Sequence, residues 1–181
     1  MGLLMTTDMI GVLHRTPTHT LLLCWLFGAL WGIGSLMAGL AIRWLGMSLG
    51  QGVTLGFCAA FGTLLPPLFK GQFATITGTP SGQMVLLGVG VGLAGIAVTA
   101  IAGLLKEREM PEESKKSSIL EYHFMKGMIV SVFAGIMSGF MSFGLDAGTP
   151  ISVLSAAAGT PAIWAGLPKI VVILFGGFSS N

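Results

Sequence analysis

Leu21–Gly50, LLLCWLFGALWGIGSLMAGLAIRWLGMSLG, is the stretch whose reading decides the fold. From Thr20 to Ile42 it holds no charged residue, and a helix of that length crosses a hydrocarbon layer about 30 Å thick. Gly28, Gly32, Gly34 and Gly39 interrupt the apolar residues, Trp25 and Trp31 sit among them, and Arg43 closes the run. A segment needed only as an anchor could be leucine throughout. Glycine removes the side chains that hold neighbouring helices apart, so backbones can approach closely. The stretch predicts a membrane-crossing helix that forms one wall of a substrate path.

Composition extends this reading to the whole chain. Of 181 residues, 53% are hydrophobic and only 9% charged, where soluble domains carry about 25% charge; mean hydropathy is +0.87. The expected class is all-α, a polytopic helical membrane protein with lipid as its principal surroundings. Of sixteen charged residues, ten lie between Lys106 and Lys126, five acids against five bases. A net charge of +2 distributed in this way says nothing about nucleic acid, and no nucleic-acid partner is expected. Cys24 and Cys58 both fall in apolar runs and read as small buried hydrophobes rather than a disulfide or metal pair. Met1 to Leu13 lacks the basic start of a signal peptide, and a first span can direct its own insertion.

Taken in order, residues 1–19 are a polar or interfacial lead, and residues 20–181 a partial transmembrane domain. Spans are expected at about 20–44, 49–69, 83–105 and 127–145, with a truncated span at about 164–181. Gly46 supplies the turn between the first two. Pro66-Pro67 should kink or stop the second span, because proline removes helix hydrogen bonds. Residues 71–82 read as a polar loop, and 146–161 as a small-residue connector, helical in part near Ala156 to Ala158. Basic residues in short loops set orientation. With the 106–126 loop cytoplasmic, alternation places Arg43 on the same side, and Arg15, Lys70 and Lys169 on the other. The expected location is the inner membrane.

Gly90-Val91-Gly92-Leu93-Ala94-Gly95 matches the dinucleotide pattern GxGxxG. That pattern needs a preceding strand in a soluble βαβ unit, and here it lies midway along an uncharged span. The packing reading is preferred. Pairs four apart recur at Gly28/Gly32, Gly52/Gly56, Gly88/Gly92 and Gly135/Gly139, the spacing that lets apolar helices pack backbone to backbone. Lipid penalises unpaired polar groups, so Ser35, Gln51, Ser138 and Ser142 are the candidates for contact with a polar substrate. Each serine can instead bond its own helix backbone; the Gln51 amide satisfies itself less easily. Trp31 lies mid-span, where it either lines a cavity or packs, whereas Trp25 suits a membrane-edge belt. Asp146, at the end of its span, is a weak candidate for ion coupling. No His/Cys/Asp cluster has metal spacing, and no nucleophile–base set is visible, so no catalytic residue is assigned and an enzyme is not expected.

These residues carry a resemblance. Leu26-Phe27-Gly28-Ala29-Leu30-Trp31-Gly32-Ile33-Gly34, Gly39-Leu40-Ala41 and Arg43-Trp44-Leu45-Gly46-Met47-Ser48-Leu49-Gly50 resemble the L-rhamnose–proton symporter family of the drug/metabolite transporter superfamily. Gly62-Thr63-Leu64, Leu86-Leu87-Gly88-Val89, Leu105-Lys106-Glu107-Arg108-Glu109-Met110 and Gly139-Phe140-Met141-Ser142-Phe143 follow in the same order. The resemblance implies a ten-helix carrier of two five-helix repeats in opposite orientation, coupling sugar entry to an ion gradient by alternating access. On it, the four spans look like the family's helices three to six, and residues 164–181 like the start of helix seven. Ser35 and Asp146 stand where the family has asparagine.

The resulting expectation is part of a secondary carrier for a sugar, L-rhamnose by resemblance, with Trp31, Ser35, Gln51, Ser138 and Ser142 facing a central cavity. It needs no cofactor beyond a proton or sodium gradient. Its expected partners are lipid, the sugar, and the missing helices of a full-length carrier or a second copy. Two alternatives stand beside it: a non-transporting membrane fragment or packing subunit, and a carrier of the same fold for another small solute.

Overall fold

The computed structural model describes residues 6–109 and 123–181. Among them the chain is helical and contains no strand. The helices are α1 (Met9–Arg15), α2 (Thr18–Leu45), α3 (Met47–Phe69), α4 (Phe73–Gly78), α5 (Pro80–Glu109), α6 (Phe124–Ala147), α7 (Thr149–Ala157) and α8 (Leu167–Ser180). Four stretches are long and apolar enough to cross a membrane: Thr18–Leu45, Met47–Phe69, Pro80–Gly103, and Phe124–Ala157, which joins α6 to α7. At 1.5 Å per residue, even the 23 residues of α3 reach beyond the hydrocarbon thickness. The fold is all-α and multi-span.

Several boundaries differ from the sequence expectation, each for a local reason. The loop expected over 71–82 contains α4, and α5 begins already at Pro80. Thr79 supplies the cap there: its Oγ1 accepts from Gly82 N at 3.2 Å, with Pro80 at the first helical position, where its missing N–H costs nothing. The Pro66-Pro67 pair lies inside α3, which ends at Phe69, two residues past the second proline. The connector after α6 is largely helical as α7, starting with Pro150 in its first turn. Gly46, at φ 84°, makes the α2–α3 turn. Residues 110–122, most of the loop assigned to the cytoplasm, lie outside the described residues.

The chain divides into two compact units. The first comprises residues up to Ile33 together with Phe140–Asn181. Its core is Val12, Cys24, Ile151 and Ile173, with Leu21, Met141, Leu145 and Leu154 packed around it. Here α2 and α8 meet backbone to backbone. A Cβ at Gly28 would strike the Ile173 carbonyl, and one at Gly176 the Trp25 carbonyl. Ser180 Oγ donates to the Ala29 carbonyl at 2.8 Å across the same seam. Phe27 stacks on Phe140 with ring centres 6.1 Å apart and tilts against Phe143 at 5.9 Å.

The second unit is Gly34–Gly139. Its α3 packs on α6 where Gly135 faces Phe57 and Gly139 faces Phe61 and Leu65. Gly34 of α2 lies against Met137 and the Ser138 backbone of α6. His123 N donates to the Trp44 carbonyl at 3.3 Å, joining the end of α2 to the start of α6. Only 6% of the apolar window of α5 is buried, against 17–28% in the other three stretches, so α5 is the least covered of the four.

Candidate functional site

The five residues expected to face a substrate are divided between the units. Trp31 and Ser142 belong to the first; Ser35, Gln51 and Ser138 belong to the second. Trp31 is half-buried, and its ring edge lies where a Cβ at Gly177 would be, so that edge of the indole packs on α8. Ser142 and Ser138 are half-buried along α6, with the Ser138 backbone against Gly34. Ser35 and Gln51 are exposed. Gln51 sits one turn into α3, which explains its exposure: at a helix start the side chain reaches the polar interface instead of the bundle. Asp146 is exposed at the end of α6, and its backbone carbonyl accepts from Thr149 Oγ1 at 2.7 Å.

The glycine assignment divides as well. Gly28, Gly32, Gly56, Gly135 and Gly139 each face another helix closely enough that a Cβ would meet it. Gly52, Gly88 and Gly92 do not: a Cβ there meets nothing within 4 Å. The packing expected at these three is therefore corrected for the described residues. Four-residue spacing puts two glycines on one helix face, but which face meets a neighbour depends on the neighbour.

Two polar features escaped sequence reasoning. Thr54 of α3 donates to Ser131 of α6 at 3.2 Å, and Ser131 donates in turn to the Gly127 carbonyl at 2.8 Å, all of it buried. The other is Lys169, half-buried in the first turn of α8, whose ammonium donates to the Leu145 carbonyl at 3.2 Å. A cation beside the last carbonyls of a helix lies at the negative end of its dipole, which stabilises the α6 terminus against α8. A basic residue within the apolar 164–178 run was the available signal.

The first unit also holds a cavity of about 100 Å³ between α1 and α7, lined by Asp8, Val12, Arg15, Leu154, Ala157 and Ala158. Asp8 caps α1, its Oδ1 accepting from Gly11 N at 3.1 Å. No group of three or more His, Cys, Asp or Glu residues capable of holding a metal occurs among the described residues.

Comparison with known proteins bears on these helices directly. The family described as L-rhamnose-proton symport protein matches residues 2–181. L-rhamnose-proton symporters of Yersinia pestis bv. Antiqua (strain Antiqua) and of Yersinia pseudotuberculosis serotype O:1b are each 44% identical over 162 residues, 90% of this chain and 46% of theirs. The chain thus spans about half the length of the curated relatives it matches. No solved structure matches.

Proposed function

Because this chain belongs to the L-rhamnose-proton symport protein family, we propose that it forms part of a secondary carrier that moves L-rhamnose together with a proton. With its long apolar helices, it is an integral, multi-pass protein of the bacterial inner membrane. The observation that carries the reading is the family match along residues 2–181. The chain spans 46% of its relatives' length, so the activity is proposed of these helices acting with further ones, from a longer carrier or a second copy. The proton gradient is the energy source, and no cofactor is assigned.

Physically, alternating access asks helices to slide or rock without exposing new polar backbone to lipid. The α2–α8 contact at Gly28 and Gly176 and the α3–α6 contact at Gly135 and Gly139 suit this, since each places backbone on backbone or on an aromatic ring. Trp31, Ser138 and Ser142, half-buried on their helices, stay the residues assigned to sugar contact. An indole face packs on sugar C–H groups, and serine hydroxyls exchange hydrogen bonds with sugar hydroxyls.

Proteoliposomes containing the chain, given external labelled L-rhamnose under an imposed inward proton gradient, test the proposal. Accumulation abolished by a protonophore is expected. Absence of both sugar binding and uptake, with the protein helical and inserted, leaves the non-transporting packing subunit as the reading.

A further inference from the structure

We propose that Ser152 and Ser155 of α7 hold one buried water molecule between them, a hydration site inside the first unit. It lies apart from Trp31, Ser138 and Ser142, and it is independent of which solute or ion the carrier moves.

Ser155 is fully buried, at 0% exposure, and Ser152 is half-buried with its Oγ shielded. Neither hydroxyl has a hydrogen-bond partner among the described residues. Gly148, Ser152 and Ser155 follow at intervals of four and three, which puts them on one face of the chain as it enters α7. That face is turned into the unit. A Cβ at Gly148 would meet Lys169 Cβ at 2.8 Å and Cys24 Sγ at 3.1 Å. Next to Ser152, Ile151 belongs to the core with Val12, Cys24 and Ile173.

A buried hydroxyl without a partner is costly, and native folds satisfy such groups with protein or with ordered water. The polar groups around α7 are already engaged. The Gly148 carbonyl accepts from Ile151 N at 3.1 Å and from Ser152 N at 3.4 Å. The Leu154 carbonyl accepts from Ala158 N at 3.0 Å, and the Ser155 carbonyl from Thr160 N at 3.2 Å. The Cys24 thiol donates to the Gly144 carbonyl at 3.6 Å, and Thr160 Oγ1 accepts from Thr7 N at 3.1 Å.

Geometry and charge select water. Residues three apart on a helix have Cβ atoms about 5–6 Å apart. Two O–H···O bonds of about 2.7–2.8 Å that meet at one oxygen span up to about 5.5 Å. One water therefore reaches both hydroxyls. It donates and accepts, as a hydroxyl pair requires, and buried waters typically make about 3 hydrogen bonds. A cation does not suit the place. Hard cations gather about six or more oxygens, whereas this face offers two hydroxyls, with the cationic Lys169 side chain at its Gly148 end.

The test uses the 181-residue chain in lipid bilayers, with water-to-protein polarisation transfer read by proton-detected solid-state NMR. Transfer at Ser152 and Ser155 is expected to be several-fold above that at the core residue Ile173. Ser155→Ala should abolish the transfer at Ser152, and Ser152→Ala the transfer at Ser155. Ser155→Ala should also lower the unfolding temperature by about 2–4 °C, the shift one lost hydrogen bond gives in a chain of this length. Absence of transfer in the parent, or transfer at Ser152 that survives Ser155→Ala, overturns the site. An unfolding temperature unchanged or raised by Ser155→Ala means that the hydroxyl was bonded to its own helix or dry, and overturns it too. Parent stability that rises with sodium or chloride, where that of Ser152→Ala does not, assigns the pair to an ion and overturns the water.

Discussion

Thr54 and Ser131 meet across α3 and α6 and, among the described residues, have nothing polar beyond the Gly127 carbonyl to satisfy them. Removing the Ser131 hydroxyl strands that of Thr54, and a buried unsatisfied hydroxyl costs about 1–3 kcal/mol in water-soluble folds. Interhelical pairs in membranes average nearer 0.6 kcal/mol. Ser131→Ala is therefore expected to lower stability by about 1 kcal/mol, and Thr54→Val with Ser131→Ala to recover most of it. Thermal unfolding in detergent across the double-mutant cycle checks this; additive losses would mean the pair is not coupled. The two residues look unremarkable in the sequence. Thr and Ser in an apolar run ordinarily bond their own helix, and only a facing hydroxyl turns them into a bridge.

For elements, the informative contrast is between glycines with the same spacing. Gly28 faces the backbone of Ile173, and Gly135 faces Phe57, whereas Gly92 faces open space. A backbone carbonyl cannot rotate aside as a side chain can, so overpacking at Gly28 should reach the upper part of the usual range of about 1–3 kcal/mol. Gly28→Leu is expected to lower the unfolding temperature strongly and Gly135→Leu moderately. Gly92→Leu should stay within about 0.5 kcal/mol of the parent, as surface changes do. Equal losses at Gly28 and Gly92 would mean that α5 is covered in the membrane. At the start of α5, Thr79→Ala removes the acceptor for Gly82 N and should cost about 1 kcal/mol, visible as faster amide exchange confined to the first turn. The Thr-Pro-Ser-Gly run at 79–82 is a legible helix start. Its one proline and one glycine suit a loop equally, so the residues alone do not choose between the two.

At the scale of the whole molecule, topology is the quantity to measure. In the second unit, the His123–Trp44 hydrogen bond brings the end of α2 to the start of α6, which supports placing Arg43 and Lys126 on one side. Lys70 follows the far end of α3. With Cys24 and Cys58 replaced by alanine, a cysteine at Lys70 should react with an impermeant maleimide on intact cells. Cysteines at Arg43 and Lys126 should react only after permeabilisation. Labelling of Arg43 and Lys70 from the same side would remove α3 from the spans. The all-helical, multi-span class and the carrier family were both readable from the residues. Burial of about twenty consecutive apolar side chains is an energy each segment carries locally, and blocks such as FGALWGIG and RWLGMSLG retain their order along the chain. What tertiary structure alone decided was azimuthal: which glycine faces a carbonyl, which hydroxyl meets another, and that Asp8 and Arg15 flank one cavity. A periodic sequence specifies a helix and its faces, but the direction in which a face looks is set by the helices packed around it.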